Sequence, residues 1–150
     1  MHIATRSSKI DISKESSTAK FAKEFSKILK IGDVVLLYGE IGSGKTTFIR
    51  YLIKTLERKN KVKLGEITSP TFSILNEYEI KNITIRHYDL FRIKNYNEIK
   101  NIGICENIED FITFIEWPDK IHKKLKKKYN LHFKYNSKLN KRFLQINKRT

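Results

Sequence analysis

Cysteine, acidic residues and long apolar runs are all scarce in this chain. These shortages exclude an internal disulfide and a membrane span, and they leave the chain strongly basic. The single cysteine, Cys105, leaves no disulfide within the chain, as expected for a protein of a reducing compartment. No apolar stretch has the length of a membrane span, and the first residues lack the apolar core of a signal peptide. We therefore expect a cytoplasmic protein that makes no membrane contact.

Residue patterns typical of several kinds of catalytic and metal site are also missing. The four histidines lie at positions 2, 87, 122 and 132, without the spacing of metal ligands. We find no Ser/His/Asp or Cys/His pairing of the kind that supports nucleophilic catalysis. The sequence has no internal repeat, and its 150 residues predict a single domain, 1–150, large enough to bury a core.

The shortage of acidic residues gives the chain a formal net charge of +15. Most of the excess lies in residues 119–150, which contain twelve lysines and arginines and one aspartate. A contact with nucleic acid through this basic C-terminal region is one interpretation, because phosphate backbones attract such surfaces. A solvated lysine-rich surface is the alternative.

Only six glycines occur in the chain, yet three of them fall in residues 39–46, Gly-Glu-Ile-Gly-Ser-Gly-Lys-Thr. This stretch fits G-x-x-x-x-G-K-[ST], the phosphate-binding loop or P-loop, at every fixed position. Residues 33–38 before it form an apolar run typical of a buried strand, and residues 47–56 after it have helical spacing of apolar residues. Strand, glycine loop and helix follow one another in the order that phosphate binding requires.

Each residue type in the P-loop has its own chemical reason. Glycines allow a tight turn that brings backbone N–H groups against phosphate oxygens, and the start of the helix favours an anion. Lys45 can reach the outer phosphates of a nucleotide, and the Thr46 hydroxyl can ligate the magnesium that bridges them. The alternative is a glycine-rich turn with an incidental lysine.

Four further residues are candidates for the same site. Glu116 ends an apolar run, Phe111–Ile115, and a carboxylate after a buried strand commonly supplies the second metal contact of P-loop proteins. Trp117 either packs beside the site or is a core aromatic. Thr71 lies in a Ser/Pro/Thr loop that is either a switch loop at the terminal phosphate or an ordinary connection. Asp89 follows strand-like residues and either faces the metal or is a turn residue.

The patterns along the chain also predict secondary structure outside the P-loop. They indicate the following elements: an edge strand at 2–5, a helix capped by Ser16–Thr18, a surface connection at 57–66, a hairpin of 73–80 and 82–87, a helix at 96–101, a basic helix at 119–128, and a C-terminal hairpin of 131–135 and 142–146.

Together, these motifs resemble those of the TsaE (YjeE) family, the small bacterial ATPases of tRNA threonylcarbamoyladenosine biosynthesis. The resemblance extends over nearly the whole chain. Four blocks carry it, in this order: residues 39–47, residues 69–72 with 76–78, residues 87–92 and residues 115–118.

The resemblance implies a P-loop α/β fold with a mixed parallel and antiparallel sheet, flanked by helices and ending in a β-hairpin. It implies ATP and Mg²⁺ as ligands and weak ATPase activity. It also implies two partners, the threonylcarbamoyl transferase TsaD and its non-catalytic paralogue TsaB. That assembly modifies the adenosine beside the anticodon in tRNAs that read codons beginning with A.

Positions matched to the family give the expected site. Thr46, Glu116 and Asp89 would hold the metal, while Lys45, Asp89, Glu116 and Thr71 would support hydrolysis. The nucleotide-binding residues would be Glu15, Ile41, Gly42, Ser43, Gly44, Lys45, Thr46, Thr47, Trp117 and Arg142. The chain departs from the family at Ser43, where Ala is common, and at Phe91, where Tyr is common.

Two other interpretations of the sequence stay open. A small-molecule or nucleoside kinase shares the P-loop, but arginines are few here and no lid-like segment follows Glu116. A basic RNA-binding module with an inactive loop is the other interpretation, although Lys45 and Thr46 are both present.

Overall fold

The computed structural model describes residues 9–121, 125, 126 and 128–149. Within these residues the chain forms seven strands and three α-helices. They are β1 (Lys9–Asp11), α1 (Glu15–Ser26), β2 (Val34–Tyr38), α2 (Lys45–Asn60), β3 (Leu75–Ile80), β4 (Ile83–Asp89), α3 (Tyr96–Asn101), β5 (Ile112–Glu116), β6 (Lys128–Tyr135) and β7 (Arg142–Arg149).

The strands form one sheet in the order β1-β7-β6-β2-β5-β4-β3. β2 lies at its centre and pairs in parallel with both β5 and β6, and β4 pairs in parallel with β5. The outer pairs are antiparallel, including the C-terminal hairpin of β6 and β7. The predicted α/β fold with a mixed sheet and a C-terminal hairpin is therefore confirmed.

The core lies on both faces of this sheet. Val35 and Leu37 of β2 pack toward α1 and α2, whereas Val34 and Leu36 pack toward the segment that contains α3. A strand covered on both faces needs apolar residues at every position, which explains the unbroken apolar run before the P-loop. The parallel strands β2, β4 and β5 end at the same edge, so Tyr38, Asp89 and Glu116 come together there.

One predicted helix is wrong. Instead of a helix over 119–128, the chain makes a short 3₁₀ turn at Pro118–Lys120, and Ile121 and Leu125 are not helical. β6 begins at Lys128, which pairs with Val34 of β2. Pairing with the central strand and burial of apolar residues against the sheet outweigh the local helical spacing. The rest of that segment, 122–124 and 127, lies outside the described residues.

The expected beginning of α1 is also wrong by a few residues. The helix begins at Glu15 with Lys14 at its N-cap, and no side chain caps it. The segment before the helix is held by β7, because Ser13 Oγ accepts a hydrogen bond from the backbone N–H of Arg142 at 3.0 Å. The expected edge strand at 2–5 lies outside the described residues, and the described edge strand is β1.

The other corrections are small. α2 continues to Asn60, into the expected surface connection, and ends at Lys61 in a left-handed conformation. The predicted helix at Tyr96–Asn101 and the predicted first hairpin are confirmed. No helix among the described residues combines the length and the apolar composition needed to cross a membrane.

Candidate functional site

The P-loop connects the end of β2 to the start of α2, and three of its positions require glycine. Gly39, Gly42 and Gly44 have φ angles of 148°, 76° and 110°, which side-chain-bearing residues rarely adopt. A Cβ atom on Gly39 would stand 2.6 Å from the carbonyl oxygen of Phe133 in β6. Gly39 therefore allows the loop to pass directly against the neighbouring strand.

Replacing Gly39 by alanine tests how closely the loop depends on this contact. We expect Gly39→Ala to lower the free energy of unfolding by about 2–4 kcal/mol, from the backbone conformation and the clash together. Urea unfolding measures the loss. Gly65→Ala is the matched control, because no atom of a described residue lies within 4 Å of its added Cβ. Equal stability of the two variants would contradict this account of the loop.

The beginning of α2 is left open toward an anion. Gly44 occupies the N-cap position without a side-chain cap, and no acidic residue lies in the first helical turn. The first N–H groups of a helix have no acceptors within the helix, so they need an outside partner. Together with the helix dipole, they form a site suited to phosphate.

Lys45 lies within this loop rather than in solvent. It is 5% exposed, and its Nζ donates hydrogen bonds to the carbonyl oxygens of Gly39 at 2.6 Å and Glu40 at 2.9 Å. Its ammonium group also lies 4.6 Å from the ring centre of Trp117. Burial lowers the pKa of Lys45 below its ordinary value, while nearby carboxylates, foremost that of Glu116, oppose this shift. The ammonium group therefore lies at the loop, where phosphate oxygens could replace the two carbonyl oxygens as its hydrogen-bond acceptors.

A hydrogen bond joins the P-loop to the neighbouring strand β5. The Thr46 hydroxyl donates to Glu116 Oε1 at 3.0 Å, across 70 residues of sequence. The same oxygen contacts His87 Nε2 of β4 at 2.8 Å. Glu116 is 3% exposed and His87 is fully buried. The carboxylate is thus fixed on one oxygen by two side chains from different elements.

Asp89 is engaged through both of its carboxylate oxygens. Oδ2 accepts a hydrogen bond from the Thr71 hydroxyl at 2.9 Å and a longer one from Ser69 at 3.4 Å. Oδ1 accepts one from the backbone N–H of Phe91 at 2.9 Å. This carboxylate therefore anchors the Ser/Pro/Thr loop to the end of β4. Thr71, which the sequence placed in a switch loop or an ordinary connection, lies beside the P-loop.

The C-terminal hairpin reaches the P-loop as well. The Tyr135 hydroxyl of β6 donates to the carbonyl oxygen of Gly42. The Arg142 guanidinium lies 5.6 Å from the Tyr135 ring centre and lines the same cavity as the loop. Residues about 100 positions apart in the chain are therefore neighbours at this site.

These groups surround an open cavity of about 380 Å³. All of the predicted site residues line it except Glu15 and Ser43. Glu15 is exposed and accepts a hydrogen bond from the Tyr51 hydroxyl at 2.8 Å. The Ser43 hydroxyl is buried in the loop and has no partner among the described residues.

Sequence reasoning missed three residues of this region. Ser69 and Phe91 line the cavity, and His87 forms a hydrogen bond with Glu116 without lining the cavity itself. The signal for His87 was present, because strand alternation places it on the same face as Asp89. Histidine spacing alone could not reveal a partner on another strand.

The oxygen ligands fit a magnesium ion that is held together with a nucleotide. Thr46 and Glu116 offer the hard oxygen atoms that Mg²⁺ prefers. Among the described residues, no group of three or more His, Cys, Asp and Glu side chains is placed to hold a metal. A metal here would therefore depend on phosphate oxygens and water for its other ligands, as Mg²⁺ in phosphate-transfer sites commonly does.

Comparisons with known proteins identify the family of this chain. The family model described as threonylcarbamoyl adenosine biosynthesis protein TsaE matches residues 12–144. The tRNA threonylcarbamoyladenosine biosynthesis protein TsaE of Rickettsia typhi is 42% identical over 108 residues, 72% of each chain. The protein of the same name from Rickettsia felis is 41% identical, over 72% of this chain and 61% of its own length.

A solved structure shares the fold. YdiB of Bacillus subtilis superposes with a TM-score of 0.72, over 96% of this chain and 87% of its own, at 21% identity. At that identity the likeness establishes the fold alone. The family match over most of the chain and the relatives at about 40% identity establish the family as well. The chain belongs to the TsaE family of threonylcarbamoyl adenosine biosynthesis proteins.

Proposed function

We propose that this protein binds ATP with Mg²⁺ in the P-loop cavity, hydrolyses it slowly, and thereby assists threonylcarbamoylation of tRNA. The observation that carries the proposal is the hydrogen bond between Thr46 and Glu116. It places a P-loop hydroxyl and a strand-end carboxylate together, which is the pair that holds magnesium in P-loop enzymes. Relatives that carry the same family name point to the tRNA pathway.

The chain's own residues divide the work in this proposal. Lys45 exchanges its contacts with the loop carbonyls for phosphate oxygens, and the free N–H groups at the start of α2 bind the same phosphates. Thr46 and Glu116 hold the metal, which when bound neutralises charge on the phosphates. Stabilisation of developing charge by these fixed groups is the main catalytic effect.

Asp89 and Thr71 act on the other side of the cavity. Since both oxygens of Asp89 are occupied by hydrogen bonds, Asp89 holds Thr71 in place rather than acting as a direct metal ligand in this arrangement. The Thr71 hydroxyl then orients the attacking water. Slow hydrolysis would make the bound nucleotide a switch that changes the loop carrying Thr71.

The partners in this proposal are the transferase TsaD and its paralogue TsaB, with the adenosine beside the anticodon as the modified base. Exposed lysines of the C-terminal hairpin, Lys134, Lys138 and Lys141, are available for a contact with tRNA. A cytoplasmic location follows from the same proposal and agrees with the lone cysteine.

Hydrolysis of ATP by purified protein tests the proposal. We expect slow, magnesium-dependent release of phosphate that rises when the transferase pair and tRNA are added. Binding of ATP without any response to those partners would leave the nucleotide site standing and overturn the role in tRNA modification. Release of ADP stimulated by a small hydroxyl compound instead would favour a kinase.

A further inference from the structure

His87 is a buried polar side chain that the proposed function does not use. It belongs to β4, is fully buried, and lies on the same face of the strand as Ile85, which packs in the apolar core. Its partner across the parallel pair is Phe114, another core residue. Burying an imidazole among apolar groups is unfavourable unless it forms hydrogen bonds. The hydrogen-bond partner of His87 therefore indicates its role.

The contact of His87 is with Glu116. Nε2 lies 2.8 Å from Glu116 Oε1, and Nδ1 has no hydrogen-bond partner among the described residues. In the tautomer that pairs with a carboxylate acting as a metal ligand, Nε2 carries the proton and donates it. The ring therefore directs its one satisfied polar atom at the candidate metal ligand.

Both hydrogen bonds to Glu116 end on the same oxygen. Oε1 accepts from Thr46 and from His87, whereas Oε2 has no hydrogen bond from a described residue, and Glu116 lines the cavity. Holding one oxygen from two directions fixes the plane of the carboxylate. The other oxygen is left for a ligand in the cavity.

We propose that His87 is a positioning residue that orients the Glu116 carboxylate toward magnesium bound with the nucleotide. This inference rests on the proposed function, because it concerns the same site. Without the imidazole, Oε1 keeps only the Thr46 hydroxyl, which is itself a candidate metal ligand. The carboxylate is then free to turn toward the ammonium group of Lys45, its nearby charge partner.

The test separates the contribution of magnesium from that of the nucleotide. Calorimetric titration with ADP, once with Mg²⁺ and once with EDTA, gives two affinities, and their ratio is the gain due to magnesium. We expect His87→Leu and His87→Asn to lower this ratio by about 10-fold, the scale of effects from residues that orient metal ligands. The affinity for ADP in EDTA should stay within about 2-fold of the wild-type value, because His87 does not contact the nucleotide in this proposal. General damage to the pocket would instead lower the affinity in both conditions.

A conservative variant distinguishes orientation from packing. The amide nitrogen of His87→Gln can reach the place of the imidazole Nε2, whereas that of His87→Asn is too short to reach it. We expect His87→Gln to retain most of the magnesium-dependent gain. Thr113→Val is the control, because Thr113 in β5 is also buried, its hydroxyl has no partner among the described residues, and it does not line the cavity.

A spectrum of the free protein gives a readout that needs no nucleotide. Long-range ¹H–¹⁵N correlation of the imidazole should show the proton on Nε2 in the wild type. A proton on Nδ1 alone would overturn the inference. So would an unchanged magnesium gain in His87→Leu, or a folded His87→Gln as defective as His87→Leu. A wild-type protein that binds no ADP in either condition would instead overturn the proposed function itself.

Discussion

Lys45→Ala is expected to lower the affinity for ATP by about 100-fold and to abolish hydrolysis. Charge-assisted hydrogen bonds contribute about 1.5–3 kcal/mol each, and the Lys45 ammonium donates two of them to loop carbonyls that phosphate oxygens would replace. Among the described residues, no other basic side chain lines the P-loop side of the cavity to take over, since Arg142 lies on the C-terminal hairpin. Calorimetric titration with ATP and Mg²⁺ measures the loss.

Lys54→Ala is the matched control for this substitution. Lys54 lies on the same helix, α2, but its side chain is exposed to solvent. Its removal should leave the affinity for ATP unchanged within about 2-fold, because exposed charges interact weakly. If Lys45→Ala bound ATP as well as Lys54→Ala does, the P-loop would not be the nucleotide site.

Loss of Lys45 should change the stability of the fold only slightly. Burial lowers the pKa of Lys45, which means that burial disfavours the charged form in the folded protein. Replacing the side chain removes this unfavourable contribution, but it also removes two hydrogen bonds to loop carbonyls. Because the two effects oppose each other, urea unfolding of Lys45→Ala should give a free energy of unfolding within about 1.5 kcal/mol of the wild type.

Phe48→Ala is expected to destabilise the protein by about 3–5 kcal/mol, the cost of truncating a fully buried aromatic ring. Phe48 is fully buried one turn into α2. Its ring centre lies 5.5 Å from that of Phe21, 5.7 Å from Phe25 and 6.0 Å from Phe133. It thus joins α1, α2 and β6, so its truncation removes contacts among these three elements at once.

Urea unfolding monitored by circular dichroism measures this loss. Phe72→Ala removes the same ring from a position that is 82% exposed, and should change stability by less than about 0.5 kcal/mol. A loss below about 1 kcal/mol in Phe48→Ala would mean that the helices pack less tightly on the sheet than this structure has them.

Much of the fold and of the site follows from short stretches of sequence. The P-loop motif, the apolar run before it and the helical spacing after it are local, so β2, the loop and α2 were predicted. Glu116 was predicted at a strand end because an apolar run leads to it, and Asp89 because residues of strand type precede it. Parallel strands then bring such ends to one edge of the sheet.

The remaining features depend on contacts between distant residues. No local pattern places β6 beside β2, and that pairing is the reason why the helix predicted at 119–128 does not form. The bond from the Phe91 N–H to Asp89 Oδ1 is a local turn contact, whereas the hydrogen bond from Thr71 to Oδ2 joins residues 18 positions apart. The contact between His87 and Glu116 likewise crosses two strands.

The pairing of β6 with β2 has a consequence for the order in which the protein matures during translation. The residues of the P-loop are synthesised early, but one side of β2 has no partner until β6 emerges from the ribosome. Until then the nascent chain exposes an apolar strand edge, the kind of surface that invites aggregation and that chaperones protect. Tyr135 and Arg142 of that hairpin lie at the P-loop, so the cavity beside the loop is complete only after the last hairpin has joined the sheet.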